Sequence, residues 1–309
     1  MSSSVRKPTR ARLGSRRLVA AADIACSALL WAGCASPSTP TATRPQPTST
    51  PTPSAVSAVT AVSPASGSVT GGTTLTITGT GLADVTDVTV GGVPATDVTV
   101  TADGTVTAVA PAAVDYQPAD AAIVVSAGDK ALRQPTALTH SYAVVTGVDA
   151  QMQYALAHWD DYNEAEWGNL NPVGGDCANF VSQTLIQRGW VQNSTWFNKN
   201  AAATTADWSP AWGYVPAMHD WFASDNGPDV TRLNLDQRDQ VKIGDIGMFD
   251  WNNNDIPDHV MLVSSVKVVD GVTRIGFASH NLDGPYRDLD VAITDEHPGG
   301  NAWFWSIPA

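Results

Sequence analysis

The stretch Gly174-Gly175-Asp176-Cys177-Ala178-Asn179-Phe180-Val181-Ser182-Gln183-Thr184-Leu185-Ile186-Gln187-Arg188-Gly189 decides the reading of this chain. Val181 and Leu185 are one turn apart, Asp176 stands where an N-cap belongs, and Gly189 stands at the C′ position. The pattern predicts a helix of about three turns. Cys177 is its first residue, where unsatisfied amides and the helix dipole favour an anion. A thiol so placed can have its pKa lowered from about 8.5 to between about 3.5 and 7.5. Gly174-Gly175 let the backbone turn sharply and leave room above the sulfur. A lone cysteine is usually a small buried hydrophobe. Helix position, preceding glycines and an exported context favour a nucleophile here.

Downstream, 259–269 and 272–280 read as two strands joined by Asp270-Gly271, a type I′ hairpin signal. A two-residue loop fixes the register, with Val269 facing Val272 and Met261 facing His280. His259 and His280 then share a face as diagonal neighbours about 7–8 Å apart at Cα. A bulge would put Asn281 on that face instead. The opposite face collects Val260, Leu262, Val266, Val268, Ile275 and Phe277 as core. A thiol, a base and a polar group that orients the base is the general arrangement of cysteine hydrolases. His158 sits on an earlier helix whose apolar face is Met152, Ala155, Leu156 and Trp159. His219 is expected to face water on a helix built on Val215, Met218 and Phe222. His297 precedes Pro298. These three, and His140 further upstream, read as structural. The oxygen-rich run Asp250, Asn252, Asn254, Asp258 has something of a calcium loop, but it lacks the central glycine and distal glutamate and reads as a solvated turn. The tryptophans could line a groove, but so many must mostly be buried.

Composition divides the chain. It has 309 residues and 11 tryptophans, of which ten lie between Trp159 and Trp305 and none between 32 and 158. Residues 1–34 hold Arg6, Lys7, Arg10, Arg12, Arg16 and Arg17, followed by an apolar run from Leu18 to Trp31. That is the plan of a secretory signal. From residue 35 on, 11 basic residues face 29 acidic ones, a balance of −18. So acidic a surface excludes nucleic acid as a partner. Three cysteines, two of them in the N-terminal segment, exclude a disulfide framework. Residues 35–57, rich in Pro, Ser and Thr, read as an extended linker. From about Val59 to Tyr142, short β-branched runs such as Thr73–Thr78 alternate with Gly and Pro turns, the pattern of a small sandwich.

Three resemblances follow. Ala32-Gly33-Cys34 resembles a bacterial lipoprotein signal, which implies a lipid anchor through Cys34, although Trp31 replaces the usual leucine. Ser63-Pro64, Gly67, Gly71-Gly72-Thr73, Gly79-Thr80-Gly81-Leu82, Val90-Gly91-Gly92 and Tyr142 resemble an IPT/TIG domain. That implies an immunoglobulin-like spacer or binding module without catalytic residues. Gly175–Gln183, Ile243-Gly244-Asp245-Ile246, Asp258-His259-Val260 and Ala278-Ser279-His280 resemble the putative amidase domain family, related to the papain-like NlpC and CHAP cell-wall hydrolases. The resemblance implies Cys177 as nucleophile, His259 as base and His280 as the group orienting it, with the Cys177 amide as oxyanion donor and no metal or cofactor.

The chain is therefore expected to be multidomain: signal 1–34, linker 35–57, an all-β immunoglobulin-like sandwich 58–145, and an α+β papain-like cysteine hydrolase domain 147–309. The expected activity is hydrolysis of an amide in peptide or peptidoglycan at a bacterial surface, through a thioester. A transpeptidase would use the same residues, and a surface-binding module with an idle hydrolase fold is the non-enzymatic alternative.

Overall fold

The computed structural model describes residues 56–102, 104–200 and 207–308. The signal, the possible lipidation site and nearly all of the linker lie outside the described residues.

The N-terminal half is all β. One sheet has the order β1 (Ala58–Ser63), β3 (Thr74–Thr80), β7 (Thr105–Val109), β6 (Thr96–Ala102). The second has the order β2 (Ser66–Ser68), β10 (Thr139–Ala143), β8 (Ala119–Ala127), β4 (Asp87–Val90), β5 (Val93–Pro94), with β9 (Lys130–Ala131) paired to β8. Period-two alternation explains the packing. Leu75 and Ile77 of β3 and Ala121, Ile123 and Val125 of β8 are buried, while Thr76 and Ala122 between them are exposed. Gly91 and Gly92, both at positive φ, close the tight turn that pairs Val90 with Val93.

The C-terminal half mixes helices with a six-stranded antiparallel sheet. Its order is β13 (Thr231–Asn234), β18 (Asn301–Ser306), β14 (Ile246–Asp250), β15 (His259–Val269), β16 (Val272–Ser279), β17 (Gly284–Asp288). Helix α1 (Gly147–His158) buries Met152, Ala155 and Leu156. After the short α2 (Glu164–Trp167) comes α3 (Cys177–Gln187), ended by Gly189 at φ 105. Helix α3 lies on the sheet face that carries Val260, Leu262 and Ala278. Its other side is buried too, and polar. Asn179 Oδ1 accepts from the Trp212 indole at 2.7 Å, and Ser182 Oγ accepts from the Trp196 indole at 3.0 Å. Four of the tryptophans thus wall in α3, with Trp196 stacked on Trp221 at 5.3 Å and Trp190 edge-on to both. The opposite sheet face packs Phe249, Met261, Val263, Phe277 and Phe304 into a second core.

The two halves are joined by buried polar contacts. Asp149, in the first turn of α1, is fully buried. Its Oδ1 accepts from Ser68 Oγ at 2.5 Å, Thr70 Oγ1 at 2.7 Å and the Thr70 amide at 3.2 Å. Its Oδ2 accepts from the Val145 and Thr146 amides, both at 3.0 Å. Burial pushes this carboxyl up, but the hydroxyls and amides outweigh it and hold the group below the usual carboxylate range. Tyr116, at φ 54 in the β-rich half, sends its hydroxyl 2.5 Å from the Ser264 carbonyl of β15.

That contact bears on the hairpin register. From Val269↔Val272 to Ser265↔Gly276 the pairing follows the two-residue turn, with Asp270 and Gly271 both at positive φ. Between Ser265 and Val263 the register shifts by one, so Val263 faces Phe277 and Leu262 faces Ala278. Ser264 is the extra residue. Its carbonyl is taken by Tyr116 and its Oγ donates to the Pro285 carbonyl at 2.6 Å. A bulge held by partners outside the hairpin moves every side chain beyond it to the other face.

Candidate active site

Cys177 opens α3 at the floor of a cleft of about 480 Å³. Gly174 and Gly175, at φ 133 and 130, bring the chain in over it. Val173, Tyr214 and Ile256, all about half exposed or more, rim the cleft with Pro210, Pro216 and Pro257. Asp258 is the only charged side chain among the described residues lining it. Of the candidate groove tryptophans, Trp208 lines this cleft, whereas Trp212, Trp303 and Trp305 are buried. A larger depression of about 660 Å³, over Asp160, Asp161 and Asp283, is not lined by the cysteine.

The thiol is 7% exposed. Burial pushes it up to about 11; the Val260 and Ala178 amides directed at the sulfur pull the other way without prevailing. The expected lowering by the helix terminus is therefore overturned by desolvation, helped by the Asp176 carboxylate alongside. The Val260 amide places the sulfur against the start of β15, one residue from His259.

His259 is 5% exposed, and its Nε2 is buried with no hydrogen-bond partner among the described residues. Burial, with lesser contributions from Arg287 and His297, pushes the imidazole down to about 3. Strand alternation turns His259 toward Phe249 and Met261, and Trp251 stacks on its ring at 5.9 Å. His297 stacks on the far face of Trp251 at 4.0 Å.

His280 does not stand beside His259, because the bulge at Ser264 places it on the helix-facing side. It is fully buried, sandwiched between Tyr162 at 3.5 Å and Phe180 at 4.1 Å. Its Nδ1 meets Asp176 Oδ2 at 2.5 Å and its Nε2 meets the His158 carbonyl at 2.7 Å. Both nitrogens are taken up in hydrogen bonds inside the protein, and neither is directed at Cys177 or His259. The expected orienting role is replaced by a structural one.

Asp176 is correspondingly not the local cap of α3. Its carboxylate turns inward to His280, the Leu170 amide at 2.7 Å and Asn179 Nδ2 at 2.9 Å. The cap comes from 104 residues away: Asn281 Oδ1 accepts from the Asp176 amide and, at 3.1 Å, from the Cys177 amide. Asn281 Nδ2 donates to Asn171 Oδ1. Asn281 thus reaches the Cys177 amide rather than His259. The run Asn281-Leu282-Asp283-Gly284 has the composition of a hairpin tip, and that was the available sequence signal for it.

The remaining candidates are structural. Asp250 Oδ1 and Oδ2 accept from the Asn254 and Asp255 amides, and Asp258 Oδ2 accepts from the Trp251 amide and from Asn252 Nδ2. The calcium candidate Asp250, Asn252, Asn254, Asp258 therefore spends its carboxylates on fixing a turn. No cluster of three or more His, Cys, Asp or Glu suited to a metal occurs among the described residues. His219 is half-buried rather than facing water, accepting from the Trp303 indole at 3.3 Å. His140 is buried edge-on to Tyr142. Asp245 of the Gly244-Asp245 motif, also buried, binds Lys242 at 2.8 Å and the Ile307 amide at 3.0 Å, tying the C-terminal end to β14.

Comparisons with known proteins agree with this division. An IPT/TIG domain model matches residues 57–142. No curated protein matches the chain. Among solved structures, the extracellular region of plexin A4 is similar at 24% identity and a TM-score of 0.24, over 27% of this chain and 7% of that one. An auxiliary nutrient binding protein from Bacteroides ovatus is similar at 21% identity and a TM-score of 0.21, over 29% and 22%. SGBP-B of the Bacteroides ovatus mixed-linkage glucan utilization locus, in complex with a mixed-linkage heptasaccharide, aligns over 82% of this chain and 50% of that one, at 8% identity and a TM-score of 0.24. This chain thus spans half or less of each of these proteins. The model of the putative amidase domain matches residues 146–304, more than half of the chain, and the chain belongs to that family.

Proposed function

We propose that the protein is a cysteine amidase or endopeptidase that cleaves a peptide amide through a thioester on Cys177, with His259 as base. Family membership points to hydrolysis of a C–N bond. The observation that carries the finer reading is the placement of the Cys177 sulfur. It lines a cleft at a helix N-terminus, against the amide of Val260, the residue after His259; the His259 ring itself packs on the sheet face away from α3 and does not line the cleft.

Free, the pair rests as neutral thiol and neutral imidazole. His259 takes the thiol proton as sulfur attacks the carbonyl carbon. The oxyanion is received by the Cys177 amide at the end of α3. Collapse breaks the C–N bond, and the His259 imidazolium gives its proton to the departing amine. A water, deprotonated by His259, then attacks the thioester and releases a carboxylic acid and the thiol. The layout of helix, sheet and terminal cysteine supports a papain-like plan. The basic and apolar N-terminal sequence supports export to a bacterial surface, where peptidoglycan peptide is the natural substrate class.

Purified protein and its Cys177→Ala form, incubated with peptidoglycan and with unmodified peptides, test the reading by mass spectrometry of the fragments. New amine and acid termini in the wild-type digest alone are expected. Identical fragment patterns from both proteins on every substrate would overturn it.

A further inference from the structure

We infer that Asn281 is a built-in occupant of the oxyanion site: its side-chain carbonyl holds the Cys177 amide until a substrate carbonyl displaces it. This rests on Cys177 being the nucleophile. The amide that must receive the oxyanion already accepts a partner, Asn281 Oδ1 at 3.1 Å, which also binds the Asp176 amide. An amide carbonyl oxygen is what a peptide substrate would bring to the same N–H groups.

The surroundings are arranged for this one contact. Asn281 lies in the tip between β16 and β17, where Ser279 pairs with Gly284. Asn281 and Leu282 there hold φ 56 and 83. Asparagine tolerates that region; leucine does not favour it. Strain of this kind persists where the surroundings over-determine a position, and it gathers at working sites. Asn171 holds the other end of the side-chain amide, fixing which atom faces the helix. Gly175 leaves the room required, since a Cβ there would come within 3.2 Å of Asn281 Oδ1.

When substrate enters, the Cys177 N–H exchanges one carbonyl acceptor for another, and no net hydrogen bond is lost. The contact costs the protein affinity for substrate and protects α3 from an uncapped terminus when the site is empty.

The test uses the full-length protein, a peptide aldehyde and iodoacetamide. The aldehyde forms a hemithioacetal with Cys177 whose oxygen needs the amide that Asn281 holds; alkylation needs only the thiol. In Asn281→Ala, aldehyde affinity should rise about three- to tenfold, the worth of one neutral hydrogen bond, and KM should fall. The alkylation rate should stay within about twofold, a change too small for any lost hydrogen bond to the sulfur. Asn281→Asp keeps an acceptor for the two amides and loses the donor to Asn171, whose own side-chain amide can turn to donate instead. The introduced carboxylate should bind the helix terminus more firmly, weakening aldehyde capture at neutral pH, with recovery as pH falls through about 4. Unchanged or weaker aldehyde binding in Asn281→Ala, with unchanged alkylation, would overturn the inference and leave Asn281 a cap. If wild type is alkylated at Cys177 but neither captured by aldehyde nor active on peptides, the amidase reading fails first and takes this one with it.

Discussion

His280 and His259 lie near the two ends of the β15–β16 hairpin, both buried, and differ in what their nitrogens have to do. His280 has a hydrogen-bond partner at each nitrogen, Asp176 and the His158 carbonyl, and stacks against Tyr162 and Phe180. His259 keeps Nε2 without a partner and is held neutral by burial. A buried polar group is normally satisfied, because an unmade hydrogen bond costs about 1–3 kcal/mol. An unpartnered nitrogen does not by itself mark a catalytic histidine, since His140 leaves both of its own unpartnered among the described residues; His259 is the proposed base because it opens the strand against which the Cys177 sulfur lies. His280, the satisfied one, binds the segment before Cys177 to the sheet.

The sharpest way to break this contrast is at the nucleophile. Cys177→Ala should lower kcat by about 10³-fold or more, with melting temperature nearly unchanged. His259→Ala should lower kcat/KM by about 10²–10⁴-fold, again in a folded protein. A fully active His259→Ala would remove the base. His280→Ala should act through stability, since it removes a buried hydrogen-bond partner of Asp176 at a cost of about 1–3 kcal/mol. Its activity should track the folded fraction in a thermal melt, and a well-folded, inactive His280→Ala would return His280 to the catalytic machinery.

Smaller effects probe the junction of the two halves. Tyr116→Phe leaves the Ser264 carbonyl without its hydroxyl partner and should cost about 1–3 kcal/mol, read as an earlier urea midpoint. The two halves should still unfold in one transition. Asp149 adds a pH term of known sign: its folded pKa is depressed, so its contribution is present above the unfolded value and is lost as pH falls through the folded one. The smallest expected effect is on the pH profile. With the thiol pushed up to about 11 and the imidazole down to about 3, kcat/KM should run level between these values. Limbs near pH 6.5 and 9 would mean that both groups titrate as if exposed.

The local features of this site were legible in the sequence. Asp270-Gly271 set the hairpin turn and Gly189 ended α3, because short-range dihedral preferences decide both. Face and partner were not legible beyond Ser264. That residue bulges because of a tyrosine 148 positions earlier and a carbonyl on the next strand. The bulge sets His280 on the helix-facing side, away from His259, and neither of the contacts that hold it leaves a periodic trace. Asp176 shows the same limit: an aspartate before a helix reads as a cap, yet a buried histidine claims its carboxylate and a distant asparagine caps instead. The thiol was misjudged in direction because the helix terminus is visible in the sequence and the depth of burial is not.

The central claim is tested most directly by trapping the thioester. A peptide substrate mixed with the protein, quenched in acid within one turnover and digested, should yield a Cys177-containing fragment heavier by the mass of the acyl group. That adduct should be lost on treatment with hydroxylamine. Product release with no acyl adduct on Cys177 under single-turnover conditions, or release undiminished in Cys177→Ala, would contradict the account.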